Sequence, residues 1–286
     1  MRRPPIITLT TDFGTADHYV GTMKGVILGI APQARVVDIS HEIRPFQIAE
    51  GAYVIAQACR YFPPKTIHVV VVDPGVGSAR RPILAEIGGQ YFVAPDNGVL
   101  SMVLEQPLAT RAAPKQRSDR AATRRSGQPA SAIVRHITAE RYFLQPLSHT
   151  FHGRDVFSSV AAHMARGVPP GRFGKRIADY ARLDFFHPTR TGKRFRTGLV
   201  LHIDRFGNLI TNFHVGEFPD LPTRPFELNI GLHKLTRLVS NFTEAQPGEL
   251  VAIIGSSGYI EVVANQASAA KLLGCEIGSP AELVLY

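Results

Sequence analysis

Asp73 and Arg80 stand seven residues apart in VVDPGVGSARR, directly after the β-branched run IHVVVV. A strand of that composition is suited to burial on both faces, and a residue just past its end emerges at the edge where α/β sheets bind ligands. Pro74, Gly75 and Gly77 predict a tight loop whose glycines let backbone approach a ligand closely. Arg80 and Arg81 can bring a cation back towards Asp73, although a strand-end turn with a surface ion pair fits the same residues. The loop lacks the Lys-Ser/Thr ending of a phosphate cradle. Asp12 closes IITLTT in the same manner, with Asp17 five residues on. A carboxylate there can accept both hydroxyls of a ribose; a turn former and a helix cap are the alternatives. His152 precedes Gly153-Arg154-Asp155 at a predicted helix start. Near a strand-end carboxylate it could serve as a general base or a hydrogen-bond donor. A lone histidine is more often structural, and Asp155 as a helix cap with Arg154 paired locally is the alternative.

Further on, IDRFGNLITN alternates so that Asp204, Phe206 and Asn208 are predicted on one face of a strand. An acid, an aromatic and an amide suit an amino group and a purine, and also suit a polar outer face. GSSGYIEVVANQ offers serine hydroxyls and backbone amides to a carboxylate. The 11 histidines show neither HExxH nor paired-ligand spacing, which argues against a metal site, and no GxSxG elbow occurs. Cys59 and Cys275 lie in apolar stretches and read as buried, reduced thiols.

These residues need a scaffold. Residues 6–11 and 36–40 read as strands, 18–30 and 48–59 as helices, and 82–94 as a hairpin turning at Gly88-Gly89. A helix is expected from 97 to 105, and another after Asp155 with Val156, Val160 and Met164 on one face. The alternation predicts an α/β N-terminal domain with a largely parallel sheet over 1–187. Residues 188–198 (PTRTGKRFRTG) read as a linker. The evenly spaced short strands of 199–286 predict an all-β C-terminal barrel domain. Residues 108–132 contain one large aliphatic residue in 25 and read as a mobile, basic surface insertion.

The net charge is +9. Six cations against one acid between Arg111 and Arg125 supply +5 of it, so the charge is a local feature. With no basic stripe interleaved with aromatics elsewhere, the pattern argues against a nucleic-acid partner. No apolar run approaches the roughly 20 residues of a membrane span, and the N-terminus is a poor signal peptide, so the chain reads as cytoplasmic.

Taken in order, TTDFGxxDxYVGxMKG, VVDISHEIxPFxIxEGA, VVDPGVGSxRR, APDNGVL, TFHGRDVF, IDRFGNLITN and SSGYIEVVANQ carry a resemblance. Over residues 6–107 and 133–286 the chain resembles the S-adenosylmethionine (SAM) hydroxide adenosyltransferase family, relatives of the fluorinase and chlorinase that act on the same substrate. The resemblance implies an α/β domain joined to a β-barrel, and a homotrimer with active sites between the N-domain of one subunit and the C-domain of its neighbour. It implies a catalytic trio at Asp73, Arg80 and His152. It implies that Asp12 holds the ribose hydroxyls and that Asp17 and Asp204 hold the methionine ammonium. Phe206, Asn208 and Phe242 would contact adenine, Ser256 the methionine carboxylate, and Phe46 and Phe151 the reacting centre; Ser257 stays unassigned. The implied reaction is hydrolysis of SAM, a small-molecule substrate, to adenosine and L-methionine, with no cofactor and no metal. The alternatives are a SAM-dependent halogenase, whose known members carry other residues where Asp73 stands, and a non-catalytic adenosine-binding protein.

Overall fold

A computed structural model describes residues 3–105 and 132–286. The basic stretch 108–132 lies, Ala132 apart, outside the described residues. The chain forms two compact units, Met1–Leu183 and Asp184–Tyr286.

The first unit runs β1 (Ile6–Thr11), α1 (Tyr19–Ile30), β2 (Arg35–Ser40), α2 (Ile48–Cys59), β3 (Ile67–Val71), β4 (Pro82–Ile87), β5 (Gln90–Pro95), α3 (Ser101–Glu105) and β6 (Ile133–His136). A π-helical turn, Gly153–Ser158, then leads without a break into α4 (Ser159–Ala165), and β7 (Arg176–Ile177) follows. The sheet order is β2-β1-β3-β5-β4-β6-β7. Its first four strands are parallel, and β4, β6 and β7 add antiparallel pairs. The antiparallel flank starts at the predicted hairpin, where Gly88 and Gly89 take φ of 57° and 79°, as a two-residue hairpin turn requires.

All five residues of β3 are buried, as its β-branched run demands. One sheet face packs Ile7, Leu9, Val69 and Val71 against Met23 and Ile27 of α1 and Val156, Phe157 and Val160 of the later helix. Each such side chain contributes roughly 1.5–3 kcal/mol on burial. A polar seam runs along the opposite face of the sheet. His68 on β3 is wholly buried; its Nδ1 lies 2.7 Å from Thr8 Oγ1 on β1, and its Nε2 lies 3.3 Å from Gln90 Oε1 on β5. Burial pushes its pKa down to about 3, so the ring is neutral. Cys59 and Cys275 are both free and buried, and burial pushes the Cys59 thiol up to about 12.

The second unit contains β8 (Thr189–Arg190), β9 (Phe195–Ile203), β10 (Leu209–His214), β11 (Phe226–Ile230), β12 (His233–Leu235), β13 (Leu238–Val239), β14 (Leu250–Ile254), β15 (Tyr259–Ala264), α5 (Ala269–Leu273) and β16 (Pro280–Leu285). The order β12-β11-β16-β9-β10-β15-β14-β13 is antiparallel except at β13–β14, and β8 pairs with β9. Leu209, Phe213, Leu228, Ile260 and Leu283 gather in one core, so the sheet curls into a half-barrel around them.

Within 188–198, Thr189 and Arg190 pair with Thr197 and Arg196 in a hairpin, an edge element that needs little apolar surface. One expectation needs correction here. Asp204, Phe206 and Asn208 do not share a strand face. Strand β9 ends at Ile203 and β10 begins at Leu209, so all three lie in the connecting turn. Gly207, at φ 86°, breaks the alternation that the pattern suggested. Among the described residues, no helix is long and apolar enough to cross a membrane.

Candidate active site

Strands β1 and β3 are parallel neighbours with Thr11 opposite Val71. Asp12 and Asp73 follow that pair by one and two residues, so both carboxylates emerge at the carboxyl edge of the sheet. After Asp73 the chain turns sharply: Val76 N donates to Asp73 O, and Ser78 N and Oγ both donate to Gly75 O. Gly77 is required in this turn. Its φ is 79°, and a Cβ there would stand 2.5 Å from the His149 carbonyl oxygen. The reversal returns Arg80 onto Asp73. Arg80 Nε donates to Oδ1 at 2.9 Å and Nη2 donates to Oδ2 at 2.5 Å. Both side chains are buried, with 9% of Arg80 and 3% of Asp73 exposed.

His152 completes the chain of contacts, its Nδ1 lying 2.7 Å from Arg80 Nη2. A guanidinium has no acceptor, so Nδ1 accepts and the ring proton sits on Nε2. Burial first, and the Arg80 charge second, hold the His152 pKa below its ordinary value, which keeps the ring neutral. Three of the five Arg80 N–H groups are thereby used. Nη1 is buried and has no hydrogen-bond partner among the described residues. The Asp12 carboxyl is raised, by burial first and by the nearby Asp73 charge, while the Phe46 amide opposes this by donating to Oδ2 at 2.9 Å. Phe46 takes φ 68° to make that bond and leaves its ring 69% exposed.

Phe151 is buried, edge-on to Phe13 at 5.9 Å and to Tyr19 at 5.1 Å, with the Arg154 guanidinium 5.3 Å from its ring centre. Arg154 is held there by Asp155, which also accepts from Ser148 N at 2.8 Å. Asp155 therefore ties its own loop and leaves the helix start uncapped. Arg81 departs from Asp73 and pairs with Asp96 and Asp179. Asp17 is exposed in the turn before α1, and among the described residues no hydrogen bond joins it to Asp12 or Asp73.

In the second unit, Asp204 organises the β9–β10 turn. Its Oδ1 accepts from Phe206 N and Asn208 N, each at 2.9 Å, and its Oδ2 accepts from Asn208 Nδ2 at 2.8 Å. The turn leaves Phe206 78% exposed while Asn208 is buried. Ser256 is exposed in the β14–β15 turn, which lies beside His214 at the far end of β10. Phe242 opens a short 3-10 turn capped by the Asn241 side chain and is partly exposed. The structure therefore joins Asp204, Phe206 and Asn208, and places Ser256 and Phe242 on separate turns.

Reading residue types alone did not single out three side chains that lie beside the predicted ones. Glu261 on β15 carries a carboxyl raised to about 7, by burial and by the Asp204 charge, and a Cβ at Gly255 would collide with its Oε1. Asn97 Nδ2 donates to Val72 O at 2.8 Å and fixes the backbone just before Asp73. His41 lies behind Asp12. All three fall inside the quoted motifs, which was the available signal. Among the described residues, no group of three or more His, Cys, Asp or Glu could hold a metal ion.

Sequence models of the SAM hydroxide adenosyltransferase N-terminal and C-terminal domains match residues 7–174 and 198–282. A relative from Methanocaldococcus jannaschii, named (R)-S-adenosyl-L-methionine hydrolase, is 37% identical over 290 residues, covering 98% of this chain and 95% of its own. A fluorinase from Nocardia brasiliensis is 25% identical over 308 residues, covering 94% of this chain and 93% of its own. The solved structure of a conserved protein from Thermotoga maritima is 33% identical and aligns with a TM-score of 0.83, covering 97% of this chain and 99% of that one. With models of both domains matched, the first of them spanning the linked Asp–Arg–His trio, the chain belongs to the SAM hydroxide adenosyltransferase family.

Proposed function

We propose that this protein hydrolyses S-adenosyl-L-methionine to adenosine and L-methionine by attack of water on ribose C5′. The Asp73–Arg80–His152 chain of hydrogen bonds carries the reading. A water that donates to Asp73 and accepts from His152 Nε2–H keeps one lone pair free for the carbon. Asp73 is the base in this arrangement, Arg80 aims it through two hydrogen bonds, and His152 is a donor. As the C5′–O bond forms, the C5′–S bond breaks and its electron pair stays on sulfur. Methionine leaves as a neutral thioether, and the water proton passes to Asp73 and on to solvent. The leaving group needs no acid, and the sulfonium already activates its carbon, so neither metal nor cofactor is required. Positioning does the rest, with reactants about 3–3.5 Å apart. Aromatic faces such as that of Phe151 tolerate the sulfonium charge without competing as nucleophiles.

In this reading Asp12 accepts the ribose hydroxyls, and Phe46 and Phe151 line the reacting centre. Asp17 and Asp204 take the methionine ammonium, Ser256 its carboxylate, and Phe206, Asn208 and Phe242 the adenine. A cytoplasmic homotrimer whose half-barrels are the family's β-barrels completes the proposal, and light scattering on the purified protein tests the assembly. The reaction is tested by incubating the protein with SAM, with and without chloride or fluoride, and identifying the products. Adenosine and methionine at all halide concentrations support it. A 5′-halo-adenosine would make the protein a halogenase, and unchanged SAM would make it a binding protein. Activity unaffected by EDTA is expected; loss reversed by a divalent ion would contradict the metal-free chemistry.

A further inference from the structure

We propose that His41 is a positioning residue that aims the Asp12 carboxylate at the ribose hydroxyls; this rests on the assignment of Asp12 above. His41 is buried, with 4% of its side chain exposed, and is tied to both sides of Asp12. Its Nδ1 lies 2.8 Å from Oγ1 of Thr11, itself wholly buried. Its carbonyl accepts from Gly14 N at 2.7 Å. Thr11 Oγ1 also accepts from Phe13 N at 3.3 Å, so the residues flanking Asp12 are bound to His41 directly or through one hydroxyl. On its other edge, His41 Nε2 stands 3.0 Å from Asp38 Oδ1, within ion-pair distance but off the line of a good hydrogen bond. Asp38 Oδ2 in turn holds Lys24 Nζ of α1 at 2.6 Å.

The far end of the same loop grips the carboxylate itself through the Phe46 amide. That amide occupies Oδ2, and two vicinal hydroxyls must share what the carboxylate has left. Small rotations of the carboxylate therefore decide whether both hydroxyls are met, because hydrogen bonds weaken steeply as they bend. Residues 41–46 act as a clamp with His41 as its buried hinge pin, and removing the imidazole frees the turn that carries Asp12.

The test is calorimetric binding of adenosine and of 2′,3′-dideoxyadenosine to the full chain, with KM and kcat for SAM alongside. The wild type should prefer adenosine. His41→Leu should weaken adenosine by about tenfold, the scale of one hydrogen bond to a charged group, and move dideoxyadenosine less than about twofold. Its KM should rise more than its kcat falls. His41→Asn, which keeps an acceptor near Thr11, should recover most of the preference, and Asp38→Asn should lose a few fold of it. Equal weakening of both ligands by His41→Leu would overturn the proposal, as would unchanged preference. If His41→Leu does not fold, the preferences of His41→Asn and Asp38→Asn decide, and wild-type values in both would overturn it. Asp12→Ala separates the two levels. If that variant keeps the adenosine preference, the ribose assignment itself falls and the His41 proposal with it.

Discussion

Replacing Asp73 with asparagine conserves shape and removes the charge. The carboxylate takes two Arg80 donors on two oxygens, at 2.9 and 2.5 Å. An amide has only one acceptor oxygen, so one of these bonds must be lost and an NH₂ group then faces the other donor. The Arg80 side chain is 9% exposed, and its guanidinium keeps its charge with no carboxylate bound to it. Losing a charge-assisted bond costs about 1.5–3 kcal/mol, and unpairing a buried ion about 3–5 kcal/mol. The expected destabilisation, at the lower end of that range, is about 3 kcal/mol. In a unit of this size that lowers the melting temperature by roughly 6–12 °C, which leaves folded protein to assay at 25 °C. Losing the base should lower kcat by about 10²–10⁴-fold. Asp73 faces the water, so the Kd for SAM should change by less than about tenfold. Thermal denaturation, calorimetric titration and adenosine release read the three quantities separately. A loss of affinity as large as the loss of rate would refute the assignment to water, and an unchanged kcat would refute Asp73 as the base.

The tautomer of His152 orders its variants. His152→Gln retains an N–H near the Nε2 position and should keep kcat within about tenfold, whereas His152→Ala should lose about 10²-fold or more; equal rates would contradict a donor role. His68 is neutral in the fold and binds a proton once unfolded, so its contribution is complete above the unfolded pKa near 6.5 and is lost as pH falls from there towards about 3. Between pH 7.5 and 5 the wild type should lose about 2 kcal/mol more stability to denaturant than His68→Gln does, and parallel losses would contradict the buried neutral ring. Glu261 ionises near pH 7, so affinity for the cationic substrate should rise through neutral pH in the wild type, and Glu261→Gln should flatten that rise when titrated between pH 6 and 8.

Strands that speak through composition were legible. The run at 67–71 is apolar enough to announce a strand buried on both faces, and Gly88-Gly89 announces its own hairpin. The Asp73–Arg80 pair was also legible, because the intervening glycines imply a reversal. The parallel order that sets Asp12 beside Asp73 could be anticipated, but the bond from Arg80 to His152 spans 72 residues and has no local signature. Alternation misled at 204–208 because a turn centred on glycine can carry the same polar spacing as a strand. The raised carboxyl of Glu261 was invisible for a related reason: it depends on burial and on a neighbour 57 positions away, neither of which its local sequence reports.

The π-helical turn at Gly153–Ser158 has a consequence for how sites of this kind can diverge. An α-helix advances about 100° per residue, and a π-turn accommodates an extra residue without breaking the helix that follows. Deleting one residue within 153–158 would let the backbone relax to regular α-helix, with Val160 and Met164 still seated in their stripe. Residue 152 would then swing by about 100° around the axis, away from Arg80. Such a descendant would preserve every catalytic letter and fold normally, yet be silent. The spacing between His152 and Val160 is therefore inherited information in its own right, and a one-residue gap there would mark lineages that kept the scaffold and abandoned the chemistry.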